Sequence, residues 1–186
     1  MFHVFFYEPA FYFFAPLEIF KFWEGGMSSF GGFLGAFLGG WWYIKRNALD
    51  FLTWADAAVF GLPLGLAIGR IGCFLTRMHP GIKSNFFLAV PMEDGARLDL
   101  GLLESLAAGA ILLVFLLCDR RPRRKGFFLG LFLLLYGSAR FFLDFLRAAD
   151  ISMADARYAG LTPSQYGSLL FIVIGCSIFA FRKKNA

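Results

Sequence analysis

The chain has 186 residues, of which 59% are hydrophobic, 19% aromatic and 17% charged, and its formal net charge is +5. Soluble domains average about 45–50% apolar and about 25% charged residues, so this composition excludes an ordinary soluble domain and indicates an integral membrane protein. The basic excess does not indicate a nucleic-acid partner, because basic loops that orient membrane proteins account for it.

The chain begins with an aromatic segment, residues 1–25, that also contains charged residues and prolines. This mixture predicts an interfacial segment rather than a span. Five apolar stretches follow, and each approaches the roughly 20 residues that cross a bilayer. The predicted spans are Met27–Tyr43, Leu52–Phe74, Leu100–Cys118, Phe127–Leu146 and Tyr166–Phe181. We therefore predict an all-α fold, a polytopic membrane helix bundle of about five transmembrane helices, with residues 26–186 as a single transmembrane domain.

The distribution of basic residues predicts the orientation of this bundle. Most of them lie in the connections after the first and third spans and at the C-terminus, and they include the run Arg120–Lys125. Cytoplasmic loops of membrane proteins carry an excess of Lys and Arg. The N-terminus is therefore expected outside and the C-terminus in the cytoplasm.

Two arginines, Arg70 and Arg140, lie within predicted spans. A guanidinium group keeps its proton at any ordinary pH, and burying one in a bilayer costs a few kcal/mol or more unless it has a partner or water. The predicted orientation places both at the level of the outer leaflet. The other polar residues expected at this depth are Glu104, Tyr136, Asp144 and Gln165.

Tyr136, Arg140 and Asp144 have i, i+4, i+8 spacing, which puts them on one helical face. Two ion pairs at one depth, close to a loop with His79, predict a site for an anionic lipid headgroup. The alternative is that Arg70 and Arg140 only pair with Glu104 and Asp144 as contacts between helices.

Glycines in the first span and the cysteines add two further expectations. Gly31 and Gly32 are candidates for backbone contact with an anionic ligand, whereas small residues farther along this span are explained by close helix packing. The three cysteines have no metal-ligand spacing and are expected to be packing residues, so no metal site is predicted.

Five short motifs follow one another along the chain. They are GGMSSFGG (25–32), GRIGCF (69–74), LDLGLLE (98–104), YGSARFFLDFLR (136–147) and GLTPSQY (160–166). In this order they resemble the signatures of the bacterial prolipoprotein diacylglyceryl transferase family. The resemblance covers the chain from about residue 15 to its C-terminus.

The resemblance implies a multi-pass protein of the bacterial inner membrane. Family members transfer the diacylglyceryl group of phosphatidylglycerol to the lipobox cysteine of an exported prolipoprotein. The family arginines that match Arg70 and Arg140 are thought to hold the lipid phosphate, which agrees with the phosphate affinity of guanidinium groups. A bound phospholipid, phosphatidylglycerol or a similar anionic species, is therefore expected, and no other cofactor.

This chain departs from the family pattern where a base is needed. Phe30 replaces the motif histidine, and a phenyl ring cannot accept a proton. Leu98 and Leu103 replace a histidine and a tyrosine in another motif, and Cys73 replaces an asparagine. Two N-terminal spans of the family have no counterpart, so the resemblance implies an N-terminally truncated, divergent member.

Two functions follow from this pattern. The favoured interpretation is a non-catalytic membrane protein that binds an anionic phospholipid and serves as an accessory or structural subunit, together with partner membrane subunits of a larger complex. The alternative is an active phosphatidylglycerol–prolipoprotein diacylglyceryl transferase, which would also bind the prolipoprotein signal peptide. His79 is then the only catalytic candidate, because the other histidine, His3, lies at the terminus.

Overall fold

The structure is a computed structural model that describes residues 29–92, 94–120, 122–151 and 157–183. The predicted interfacial segment, residues 1–25, lies outside the described residues. The chain divides into two compact units, residues 1–51 and 52–186, and each is described by itself. The assignment of residues 26–186 to a single transmembrane domain stays a prediction.

The described part of the chain contains five α-helices. They are α1 (Ser29–Arg46), α2 (Phe51–Leu75), α3 (Leu100–Cys118), α4 (Phe127–Leu143) and α5 (Pro163–Lys183). A 3₁₀ turn, Asp144–Leu146, continues α4. By length and composition, α2, α3, α4 with its 3₁₀ turn, and α5 can each cross a membrane. This confirms the predicted polytopic membrane helix bundle.

Helix α1 is not among the helices that meet this criterion in the described residues, although five spans were predicted. Its glycines and its C-terminal basic pair lower its mean hydropathy. Lys45 Nζ lies 5.0 Å from the ring centroid of Trp41, and the Arg46 guanidinium lies 5.3 Å from that of Trp42. Aromatic and basic side chains at one helix end are typical of a membrane–water interface.

Aromatic side chains form the core that joins α2, α3 and α4. The buried members are Val59, Ile111, Phe115, Phe128 and Phe132. The ring of Phe60 meets that of Phe128 edge to face, with centroids 5.1 Å apart. Such pairs add to the energy of simple area burial and fix the ring orientation. Helix α5 packs against α4, where the rings of Phe127 and Phe179 are 5.9 Å apart.

A small antiparallel sheet between α2 and α3 was not predicted. Its strands are β1 (Pro80–Lys83), β2 (Ala89–Met92) and β3 (Gly95–Asp99), in the order β1-β3-β2. The strands have only four or five residues and contain Gly and Pro, so they lack the alternation that marks a strand in sequence. Strand β3 leads directly into α3, and the Asp99 carboxylate caps this helix by accepting a hydrogen bond from Leu102 N at 3.1 Å.

The sheet is fastened to the chain that follows α4. Gly81 forms a β-bridge with Arg147, and Ala148 N donates to Pro80 O at 3.3 Å. A Cβ atom on Gly81 would lie 2.7 Å from the backbone oxygens of Leu146 and Leu98, so only glycine permits this approach.

Arg97, on strand β3, links the sheet to the chain that follows α4. It is almost fully buried and donates to Gly81 O at 2.9 Å, to Asp150 Oδ1 at 3.0 Å and to Asp94. Hydrogen bonds from Arg97 hold the pKa values of Asp94 and Asp150 below their ordinary range. The three groups therefore stay charged near neutral pH, and the ion pairs fix the sheet beside the end of α4.

Candidate functional site

Glu104 joins the two predicted membrane arginines. Its Oε2 atom lies 2.7 Å from Arg70 Nε, and its Oε1 atom accepts a hydrogen bond from an Nη of Arg140. Helix α2 carries Arg70, α3 carries Glu104 and α4 carries Arg140, so one carboxylate holds three helices together. Because the two guanidinium groups bind the two oxygens of one carboxylate, they lie within reach of one small anion.

A second buried carboxylate, Asp144, continues the cluster along α4. Its Oδ1 atom lies 3.7 Å from an Nη of Arg140 and 3.3 Å from Arg147 Nε. Its Oδ2 atom accepts a hydrogen bond from the hydroxyl of Thr162. We call Arg70, Glu104, Arg140, Asp144 and Arg147 the arginine cluster. Buried charges are tolerated only when they are paired and hydrogen-bonded, and both carboxylates of the cluster are.

A capping box starts α5 next to this cluster. Gln165 N donates to Thr162 Oγ1 at 3.2 Å, and Thr162 N donates to Gln165 Oε1 at 2.9 Å, which satisfies two backbone donors at the helix start. Gln165 Nε2 also donates to Phe141 O at 3.2 Å, and this bond ties α5 to α4. Gln165 thus positions Thr162, and its contact with a headgroup stays a prediction.

Ser164, one residue before Gln165, contacts the cluster directly. Its Oγ accepts a hydrogen bond from Arg140 Nε at 2.9 Å. Arg140 is therefore held by a serine on α5 as well as by Glu104 and Asp144. A guanidinium group fixed on several sides loses little further freedom when it binds a ligand.

Helices α2 and α3 meet closely beside Arg70 because Gly101 has no side chain. A Cβ atom there would lie 2.7 Å from Phe74 N and 3.1 Å from Arg70 O. One turn farther along α3, Ser105 Oγ donates to Ala67 O at 3.1 Å. The Gly101 contact sets the spacing at which Arg70 reaches Glu104.

Three predicted site residues are not members of these ion pairs in the described part of the chain. The Tyr136 ring stacks on that of Phe132, with centroids 5.2 Å apart, on the apolar side of α4. Gly31 and Gly32 lie in α1, which belongs to the other unit, as does Phe30. The participation of Tyr136, Gly31 and Gly32 in ligand binding stays a prediction.

His79 lies in the connection between α2 and β1, outside the spans. Its carbonyl oxygen accepts a hydrogen bond from Leu100 N at 3.0 Å, which ties the residue to the start of α3. Burial lowers the pKa of His79, and the positive charges of Arg70, Arg147 and Arg140 lower it further, against an opposing effect of Asp99. The imidazole is therefore neutral near pH 7 and able to accept a proton.

Three residues of this site were not among the predicted site residues. Arg147 follows Arg140 and Asp144 with i, i+4, i+7 spacing, which is the signal that would have placed it on the same face. Thr162 and Ser164 belong to the TPSQ sequence, whose spacing is that of a capping box. This signal predicts a helix start, but not that the hydroxyl groups reach Arg140 on α4 and Asp144 in the 3₁₀ turn.

The arrangement is suited to an anion that carries several oxygens. Arg70 and Arg140 retain side-chain exposures of 22% and 14%, so a ligand can reach them. Guanidinium groups form charge-assisted and often bidentate hydrogen bonds with phosphate. A phosphate group that displaces Glu104 from one arginine or both would meet donors that are already in position.

Comparison with known families agrees with this chemistry. The family model described as prolipoprotein diacylglyceryl transferase matches residues 1–181. This chain belongs to the prolipoprotein diacylglyceryl transferase family. The predicted family resemblance is therefore confirmed, and with the four apolar helices it identifies a multi-pass protein of the bacterial inner membrane.

Similar proteins extend over nearly the whole chain. One from Janthinobacterium sp. (strain Marseille) is 38% identical, and the alignment covers 98% of this chain and 72% of the relative. One from Hydrogenovibrio crunogenus is 30% identical over 98% of this chain and 71% of its own length. One from Pseudomonas savastanoi pv. phaseolicola is 34% identical over 93% and 67%. Each is named phosphatidylglycerol–prolipoprotein diacylglyceryl transferase.

These relatives change the balance between the two functions predicted from sequence. All three are named as transferases, so they support the alternative better than the favoured non-catalytic interpretation. They give no support to an accessory role or to partner membrane subunits.

Proposed function

We propose that this chain is a phosphatidylglycerol–prolipoprotein diacylglyceryl transferase in which Arg70 and Arg140 bind the phosphate of the lipid. The observation that carries the proposal is the joint contact of both guanidinium groups with Glu104 inside a membrane helix bundle. Relatives named for this reaction supply the substrates, phosphatidylglycerol and a prolipoprotein. Glu104 holds the two arginines in place before the lipid arrives.

The chemistry of the transfer explains why arginines are useful at this position. The sulfur of the lipobox cysteine forms a bond with the glyceryl carbon that carries the phosphate ester, and the carbon–oxygen bond to phosphate breaks. The bonding electrons leave with glycerol phosphate, which gains negative charge as the bond breaks. Fixed guanidinium groups stabilise this developing charge more than the charge of the intact phosphodiester, so they lower the barrier.

The thiol must lose its proton, because the thiolate is the nucleophile. We assign the proton acceptor to His79, since Phe30 cannot serve. Its lowered pKa keeps the imidazole neutral near pH 7, and the three arginines that lower it belong to the arginine cluster. A base in the connection between α2 and β1 therefore lies in the electrostatic field of the groups proposed to hold the phosphate.

The test uses the purified full chain in detergent, with phosphatidylglycerol and a synthetic lipobox peptide. We expect a peptide product with the added mass of the diacylglyceryl group. Arg140→Ala is expected to reduce the rate about 100-fold or more, as the loss of a group that stabilises transition-state charge does. Arg123→Ala, at the opposite end of the bundle, is the matched control and is expected to leave the rate unchanged.

The outcomes separate the two candidate functions. Absence of product together with retained phosphatidylglycerol, detected by lipid mass spectrometry, would contradict catalysis and restore the non-catalytic interpretation. Equal loss of activity in Arg140→Ala and Arg123→Ala would mean that Arg140 acts only through folding.

The role of His79 has a separate test in the pH dependence of the rate. A neutral imidazole is required, so the rate should fall only as the pH drops below the ordinary histidine pKa of 6.5, because the pKa of His79 is lowered. His79→Gln should remove this acid limb and most of the activity, with lipid retention unchanged. An unaltered acid limb in His79→Gln would assign the base to another group.

A further inference from the structure

An exposed apolar edge connects α2 to the small sheet. Leu75, the last residue of α2, is 72% exposed, and Phe87, between β1 and β2, is 82% exposed. Between them, other large apolar side chains also face outward. We call the set the aromatic edge, and it consists of Leu75, Met78, Ile82, Phe86 and Phe87.

The tip of this edge is an ordered turn. The rings of Phe86 and Phe87 are packed together, with centroids 4.5 Å apart. Phe86 N donates to Ser84 Oγ at 3.1 Å, and Ala89 N donates to Phe86 O at 2.8 Å, so hydrogen bonds on both sides fix the backbone. The ordered turn holds two large rings outward, so their apolar surface is exposed. Contact of this surface with water is unfavourable.

The aromatic edge continues an exposed apolar stripe of α2. Ile68, Ile71 and Leu75 are exposed and follow one another at i, i+3, i+7, so they form one face of a helix that can cross a membrane. Met78 follows Leu75 after three residues and is also exposed. The apolar surface therefore continues past the end of the span instead of stopping at the boundary.

The sheet cannot move far from this boundary. It lies between the end of α2 and the start of α3, and β3 passes into α3 without a connecting loop. The bridge between Gly81 and Arg147 and the contacts of Arg97 fasten its other side to the chain after α4. A rigid element attached to three spans stays at the depth where the spans end.

The charges near the edge suit an anionic lipid surface. Residues 75–87 contain two partly exposed basic residues, Arg77 and Lys83, and no acidic residue. Each also faces a carboxylate of a nearby segment, with Arg77 3.9 Å from Asp99 and Lys83 3.4 Å from Asp94. Exposed aromatic rings with neighbouring basic groups are typical of segments that lie in the headgroup region, where anionic lipids attract Lys and Arg.

We propose that the aromatic edge inserts into the leaflet on the side of the arginine cluster, with Phe86 and Phe87 among the lipid headgroups and upper acyl chains. The insertion fixes the sheet, and with it His79, at the depth of phospholipid phosphates. This inference concerns contact with lipid and does not depend on transferase activity.

The test is photocrosslinking in the full chain, with p-benzoylphenylalanine in place of Phe87 and, separately, of Phe86. The protein is reconstituted in nanodiscs of phosphatidylethanolamine and phosphatidylglycerol, illuminated and analysed by intact mass. Two reference positions bracket the result. Leu113, exposed on the middle of α3, reports lipid contact, and Ala96, exposed on β3 outside the aromatic edge, is the comparison position.

We expect the mass of one phospholipid to be added at Phe87 in a yield close to that at Leu113 and several-fold above that at Ala96. A yield at both phenylalanine positions no higher than at Ala96 would overturn the proposal. Crosslinks to a second copy of the chain instead of lipid would also overturn it. Circular dichroism and gel filtration of each labelled protein ensure that only folded chains are compared.

Discussion

The two ends of the α2–α5 bundle use the same residue types in different ways. At one end, the charged side chains of the arginine cluster pair with one another between helices and are mostly buried. At the other end, Asp56 accepts hydrogen bonds from the backbone N–H groups of Gly126 and Leu129, and Arg123 Nε donates to Cys118 O at 3.0 Å. Charged side chains at the first end pair with one another, whereas those at the second end bind backbone groups at the ends of helices.

This difference shows why the number of charges does not locate a site. The opposite end contains the basic run Arg120–Lys125, which is the densest in the sequence, yet its described side chains are exposed. Exposed ion pairs contribute little to stability, because water and salt screen the charges and pairing costs side-chain entropy. A guanidinium group that remains charged in a buried position requires a partner, so buried pairing between helices marks the site.

The largest effect is expected from Glu104→Ala. The change removes the common partner of two buried guanidinium groups, and loss of one partner from a buried pair costs about 3–5 kcal/mol. The free energy of unfolding is measured by SDS titration in mixed micelles. Asp119→Ala at the opposite end is the matched control, with an expected change below about 0.5 kcal/mol. Similar losses in the two variants would remove the distinction between the ends.

The next effect is expected from Gly101→Ala. The new Cβ would meet the backbone of α2 at 2.7 Å and push α2 and α3 apart, which overpacks the contact at a cost of about 1–3 kcal/mol. The control is Gly109→Ala on the same helix, where a Cβ meets nothing within 4 Å. Alanine favours helix more than glycine, so the control should be neutral or up to about 1 kcal/mol more stable. A loss of bound phosphatidylglycerol in Gly101→Ala alone would link this packing to the site.

A smaller effect is expected from Asp56→Ala, which removes the carboxylate that caps α4. Loss of a capping side chain costs about 0.5–2 kcal/mol. Asp56→Asn keeps one acceptor oxygen and should lose less. Lipid mass spectrometry is expected to find unchanged phosphatidylglycerol in both variants. Loss of the lipid from either one would show that this end also contributes to headgroup binding.

Hydrophobic patterning predicted the helices well because a long apolar run in a bilayer must form a helix to satisfy its backbone hydrogen bonds. The bounds of α3 agree with the predicted span Leu100–Cys118, whereas α5 begins at Pro163 instead of Tyr166 because the capping box adds a turn. The sheet was missed because its strands are short and contain Gly and Pro, and because contacts with a distant segment, such as that of Arg97 with Asp150, help to hold it.

The candidate site was predicted in part. The sequence predicted that Arg70, Arg140, Glu104 and Asp144 lie at one depth in the membrane. In the structure these four residues form one set of ion pairs. Sequence does not reveal that Glu104 contacts both arginines, because this depends on how closely α2 and α3 approach at Gly101. Nor does it reveal that Gln165 turns towards its own helix start.

The smallest effect is expected from Arg123→Gln, and it gives the sharpest test of the contrast between the ends. Arg123 is exposed, contacts one backbone carbonyl and lies 4.8 Å from the centroid of Phe127. An exposed cation–π contact contributes about 0.5–1 kcal/mol, so the change in unfolding free energy should not exceed this. Arg140→Gln removes the same charge from between Glu104, Asp144 and Ser164, and it should cost several times more and release bound phosphatidylglycerol. Equal costs for the two substitutions would mean that pairing between helices adds nothing to what an arginine contributes to stability.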